Sequence, residues 1–211
     1  MITGGAKRRI RGENARILAE KGYRVCEGLP LIDSPKARRA EEIACRMTVM
    51  SILVYAAHRV ISPEAAIAWL DANGLYGGLS ESEAAALESG SEDDLLPMTW
   101  YTECLWALFW LTGNIDDLDP DGGVDDDMMG AFPYPVEDED CSNICCACVP
   151  RPAAELYRML DLYYNVHWFW VDERVRGRGD MEREGVAFER RRALEWAADR
   201  GLDWDGVPMD T

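Results

Sequence analysis

Glu155 to Arg176, ELYRMLDLYYNVHWFWVDERVR, constrains the fold more than any other stretch of the chain. At about 100° per residue, Leu156, Leu160, Tyr163, His167, Val171 and Arg174 share one stripe of a helix, and Tyr164, Trp168 and Val175 lie on the next. Such a helix is buried round most of its circumference. Other helices must therefore pack about it and supply partners for its imidazole and guanidinium.

The rest of the chain supplies those helices. Lys7 to Gly22 reads as a helix closed by a glycine, and Tyr23 to Pro35 as an extended connector that tucks in Val25, Leu29 and Ile32. Ser34-Pro35 looks like the start of a long helix from Ala37 to about Val60, with His58 near its C-terminal end. Ser62-Pro63-Glu64 opens a short helix ended by Asn73-Gly74, and Ser80 to Leu87 is another. Ser89 to Asp94 reads as a polar break. Pro97 to Gly113 places Trp100, Glu103, Trp106 and Trp110 on about a third of a helix surface. Gly177-Arg178-Gly179 is a turn, Glu184 to Arg200 is a last helix, and Trp204, Val207 and Pro208 mark a docked tail. No alternating run is long enough to build a sheet, and no repeat is visible. The fold class expected is all-α: an irregular multi-helix bundle, one compact domain over 1–211, with a long acidic and Cys-rich loop at 114–150.

A chain of 211 residues can bury a sizeable core. Its longest mostly apolar run, Met47 to Ala57, falls short of the roughly 20 residues of a membrane span, and no secretion signal opens it. A cytoplasmic protein with free thiols is expected. The net charge of −17 is unevenly spread: +5 over residues 1–48, −19 over 49–150 and −3 over 151–211. Arg59 is the one basic residue in the middle segment. That field repels phosphate backbones, so nucleic acid is excluded as a partner and a basic protein or a cation fits better. Surface acid that merely keeps a Trp-rich protein soluble would leave the same signature.

Three clusters could carry chemistry. Glu103, His167, Asp172, Arg174 and Glu189 are polar residues on or beside apolar stripes; a His near a carboxylate in a Trp-lined pocket could act as general base. A buried ion-pair network that fixes helix register would use the same residues, with Glu103 or Glu189 answering Arg174. Asp117, Asp119, Asp121 and Asp125, with Gly122 among them, approach a calcium loop, although Met128 stands where a bidentate Glu is needed. Cys141, Cys145, Cys146 and Cys148 have zinc-like spacing but no second pair of thiols elsewhere. No cofactor is expected beyond a calcium or zinc ion at these two clusters. No Ser or Cys sits in a nucleophile signature.

Several stretches resemble a bacterial family known only as domain of unknown function 4272. They are LAEKGYRVCEGLP from Leu18 to Pro30; Glu41-Glu42-Ile43-Ala44; W-x-x-E-x-L-W-x-L-x-W-x-x-G-x-I-D from Trp100 to Asp116; His167-Trp168 with Asp172 and Arg174; Glu189-Arg190 with Ala193-Leu194 and Trp196; and Trp204-Asp205, Val207-Pro208 and Asp210-Thr211. The resemblance implies a mostly helical single domain and supplies no activity or catalytic residue. It also implies that the loop is this member's own elaboration. Three functions are open at this point: a non-enzymatic binding protein, neutralising or immunity-like, that presents an acidic surface to a basic protein; a small hydrolase or transferase around His167; or a scaffold without chemistry.

Overall fold

The computed structural model describes residues 1–137, 139–141 and 148–211. Among these, the chain forms α1 (Gly4–Glu20), α2 (Ala40–Ala57), α3 (Pro63–Ala72), α4 (Glu81–Ser89), the four-residue α5 (Glu92–Leu95), α6 (Tyr101–Leu111), α7 (Ala153–Val175) and α8 (Met181–Ala198). Short 3-10 turns lie between several of them. No strand is present among the described residues; the one extended pairing is an isolated parallel bridge between Lys36 and Asp199. The architecture is the all-α bundle expected.

Local signals explain most helix ends. Ser62 Oγ accepts from Ala65 N with Pro63 at the first helical position, and Gly74 takes φ +67° after α3. Ser80 and Glu83 form a reciprocal capping box at the start of α4, which Gly90 ends at φ +61°. Ser34-Pro35 does not start α2. Ser34 Oγ accepts from Ile2 N instead, and the backbone of Lys36 and Arg38 bonds to Ala198 O and Ala197 O. That long-range pairing holds residues 36–38 extended, and the helix begins only at Ala40. Within the expected polar break, Glu92–Leu95 is a turn of helix that buries Leu95.

The Trp100 segment, α6, packs chiefly on α8 and α2; α8 lies against both α6 and α7, and α1 covers another side of α7. Ala187, Ala193 and Ala197 are fully or nearly fully buried along α8, which lets the neighbouring helices approach closely. The inward face of α6 carries Tyr101, Cys104, Leu105 and Leu108, so Trp100, Glu103 and Trp106 are only half-buried and Trp110 alone of that stripe is buried. Ile52, Leu53, Leu105, Leu108 and Leu194 are fully enclosed in the core, each contributing about 1.5–3 kcal/mol by removal from water.

As expected, α7 is buried on adjacent stripes through Leu156, Tyr157, Leu160, Tyr163, Tyr164 and His167. The C-terminal end of the helix departs from that expectation: Trp168 and Val171 are half-buried, Val175 is exposed, and Arg174 lies at the surface and pairs with Glu184 at 2.9 Å.

Candidate functional site

Two guanidiniums organise the interior. Arg190 of α8 is fully buried. Its Nε donates to Glu103 Oε2 at 2.7 Å, Nη1 to Asp119 O at 2.9 Å and Tyr163 Oη at 3.2 Å, and Nη2 to Gly122 O at 2.8 Å. A calcium loop would turn its carbonyl oxygens on an ion; here those of residues 119 and 122 converge on the guanidinium. Glu103 therefore answers Arg190, not Arg174. Asp119 and Asp121 also pair with Lys21, and Asp121 further with Tyr23 Oη and Arg183. Asp117 and Asp125 are exposed.

The second hub is Arg46 of α2, whose Nη groups meet both oxygens of Glu83 in a buried bidentate pair and also reach Gly78 O at 3.3 Å. Glu83 accepts further bonds from Tyr101 Oη at 2.7 Å and Ser80 N at 2.9 Å, and Trp204 Nε1 donates to Tyr101 Oη at 3.0 Å. Arg46 lies 4.2 Å from the centre of the Trp204 ring and Arg192 lies 4.3 Å from it. Burial alone would raise the Glu83 carboxyl, but the Arg46 pair outweighs it and holds the group below the usual carboxylate range. Burial, reinforced by Glu83, pushes the Tyr101 hydroxyl up.

His167 is 3 % exposed and meets no carboxylate among the described residues. Its Nδ1 accepts from Arg191 Nη1 at 2.9 Å, and its ring stands edge-on to Phe188. Burial first, and the Arg191 and Arg174 charges next, lower its pKa to about 4, so the ring is neutral near pH 7. Arg191 in turn donates to Glu195 and to Asp210 O. Glu189 accepts from the buried Cys104 Sγ at 3.2 Å, and burial raises its carboxyl pKa. Asp172 sits near the surface with Arg24 at 2.6 Å and Arg176 at 2.8 Å.

The five residues singled out as a catalytic constellation are thus divided among separate networks, each with its own Arg or Cys partner. Sequence reasoning missed Glu83, Arg46 and Arg191 as buried groups, and Arg190 as a hub. The one available signal was the Ser-x-x-Glu capping box, which places Glu83 at the first turn of α4. Among the described residues no group of three or more His, Cys, Asp or Glu is gathered to hold a metal ion. Cys145 and Cys146 lie outside the described residues; Cys141 and Cys148 are half-buried against the core.

Two of the clefts that open at the surface among the described residues adjoin these elements. One of about 830 Å³ lies between α2, the start of α4 and residues 202–206, lined in part by Arg38, Glu42, Arg46, Glu81, Asp203 and Trp204. The other, of about 690 Å³, lies between the first turn of α1, residues 32–36 and the end of α8, with Glu195 on its wall. None of Glu103, His167, Asp172, Arg174 or Glu189 lines either.

A family model described as Domain of unknown function (DUF4272) matches residues 9–207. The chain belongs to the DUF4272 family. The match spans both guanidinium hubs, the Asp119 loop and the tail that carries Trp204, so the networks above are the interior of this DUF4272 domain. No curated protein and no solved structure matches the chain. No helix among the described residues is long and apolar enough to cross a membrane.

Proposed function

We propose that this DUF4272 protein is a soluble, cytoplasmic binding protein, neutralising or immunity-like and without catalysis, whose acidic middle third holds a basic polypeptide. The observation that carries the reading is the uneven pairing of its acids. Outside residues 60–150, many acids have an intramolecular cation, such as Glu13 with Arg158, Asp161 with Arg11, and Glu173 with Arg24 and Arg178.

Residues 60–150 contain no Lys or Arg. Of their acids, Glu83, Glu92, Glu103, Asp119 and Asp121 are matched by cations from elsewhere. The exposed Glu64 and Asp71 of α3, Glu81 and Glu88 of α4, Asp93 and Asp94 of α5, and Asp125 to Asp127 have no ion-pair partner among the described residues. Trp69 Nε1 donates to Glu139 O and Cys141 N to Asn73 Oδ1, which brings residues 139–141 alongside α3. Clustered, uncompensated carboxylates repel one another and gain when a cationic surface neutralises them, chiefly through faster, salt-sensitive association.

The test is capture of tagged protein from its source cells at low and high salt, with wild type beside a charge-reversed variant carrying Asp71→Lys, Glu88→Lys, Asp93→Lys and Asp126→Lys. A basic polypeptide retained by wild type at low salt, released at high salt and absent from the variant is the expected result. Retention of every co-purifying protein by the variant overturns the reading.

A further inference from the structure

The first helix is covered on one side only. Its buried residues are Ile10, Asn14 and Leu18, and it packs chiefly on α7. At about 100° per residue, Arg8, Ala19, Gly12, Gly5, Arg16 and Arg9 follow one another round the opposite face, and all six are exposed. Gly12 stands in the helix interior, where glycine is a weaker helix former than alanine. A Cβ there would meet nothing within 4 Å, so no contact inside one copy requires the glycine. Bare backbone of this kind suits the close approach of a second body. The face is also cationic. Arg8 and Arg16 are exposed without ion-pair partners among the described residues. Arg9 holds Glu13 at 2.9 Å in an exposed pair, but Arg158 holds the same carboxylate at 2.6 Å, so Arg9 can turn away without stranding it.

The counterpart lies on α3. Its exposed face consists of Glu64, Ala65, Ala68, Asp71 and Ala72: three small side chains, with both carboxylates on one flank and neither ion-paired among the described residues. Glu64 and Asp71 are seven residues apart, as are Arg9 and Arg16, so each pair spans about 10.5 Å of its helix. The two faces thus match in the size of their side chains and in the interval of their charges, and they are opposite in sign. Within one copy the two helices are linked through the series α7, α8, α6 and α2, each packed on the next. Both faces are open to solvent there, so they can meet only between copies.

We propose that α1 of one copy packs along α3 of a second copy, with Gly12 against the alanines and with Arg9 and Arg16 on Glu64 and Asp71. Each copy offers one face of each kind, so the contact is head-to-tail. A seam of two helices is a small interface, and association is weak and dependent on concentration. The inference rests on the preceding reading and names one basic segment that the acidic face takes; a foreign basic polypeptide competes with α1 for the same carboxylates.

The experiment is sedimentation equilibrium of the full-length protein at about 0.15 M salt, where exposed charges act over about 8 Å and the net −17 of whole copies is largely screened. The weight-average mass of wild type should rise above 23.7 kDa between about 10 μM and 1 mM. An Arg9→Glu, Arg16→Glu variant and a Glu64→Lys, Asp71→Lys variant should each stay monomeric over that range. An equimolar mixture of the two should regain association to within about threefold of wild type, because each reversed face then meets its opposite. Gly12→Leu keeps the charges and favours the helix, so it should melt no lower than wild type and associate at least about tenfold more weakly. Overturning results are a wild type that stays at the monomer mass, a charge-reversed variant that associates as wild type does, a mixture no better than its components, or a Gly12→Leu protein within about twofold of wild type. If capture of a foreign basic polypeptide persists when self-association fails, the acidic-face reading stands and this contact alone falls. If the copies associate as expected and no foreign polypeptide is captured, the neutralising reading alone falls.

Discussion

Replacing His167 by Gln should flatten the acid side of the stability curve. The imidazole is buried, accepts a hydrogen bond from Arg191 and has its pKa lowered to about 4 from an ordinary 6.5. The unfolded chain therefore binds a proton on this residue that the folded chain refuses. Stability is undiminished above pH 6.5 and falls as pH drops toward 4. Between pH 7 and pH 5 the linkage integrates to about 2 kcal/mol. Burial pushes the carboxyls of Glu189 and Glu195 upward, so they titrate with the opposite sign, but both proteins contain them. The difference between wild type and His167→Gln thus isolates the imidazole. Gln keeps an acceptor for Arg191 and cannot take up the proton. Urea unfolding at pH 7, 6 and 5 measures the effect: the wild-type free energy should fall relative to the variant by about 2 kcal/mol over that range. A gap between the two proteins that stays constant within about 0.5 kcal/mol would show that His167 protonates freely in the folded state and would refute the argument.

Three further outcomes follow from the packing. Arg190→Met strands the Glu103 carboxylate and two carbonyls, so unfolding should become about 3–5 kcal/mol easier, with amide exchange accelerated most over residues 118–124. Gly185→Ala places a Cβ 2.9 Å from Trp100 Cη2 and should cost about 1–3 kcal/mol; adding Trp100→Phe, which removes the obstructing ring, should recover most of the loss in a thermal melt. Cys104, enclosed and raised in pKa by burial and then by Glu189, should resist iodoacetamide in the native protein and react once urea is added, read by mass spectrometry of its peptide.

What the sequence reveals and what it hides divide along the range of the interaction. The stripes of α7, the Ser62 and Ser80 caps and the glycines that end α3 and α4 are local: each signal lies within a turn or two of the structure it determines. Ser34-Pro35 is a sound local start signal that the pairing of residues 36–38 with residues 197–200 overrides. Arg190 and Arg191 look like the solvated side of α8, because nothing near them in sequence discloses the carboxylate, carbonyls and imidazole that enclose them. The Asp119 loop was legible as a feature that attracts positive charge. That Lys21, Arg183 and Arg190 supply it is a matter of tertiary structure alone.

Both hubs are completed by residues made late. Arg190 reaches back to Glu103 and Asp119, and Trp204 closes on Tyr101 while Leu202 receives Arg38. On the ribosome, α2, α4 and α6 emerge well before those partners, so the chain passes through a stage in which buried charges and aromatic faces are exposed together. Residues 190–204 act as a latch. Until they arrive Glu103, Asp119 and Tyr101 lack the partners described above, and contacts of such long sequence separation are the kind that slow folding.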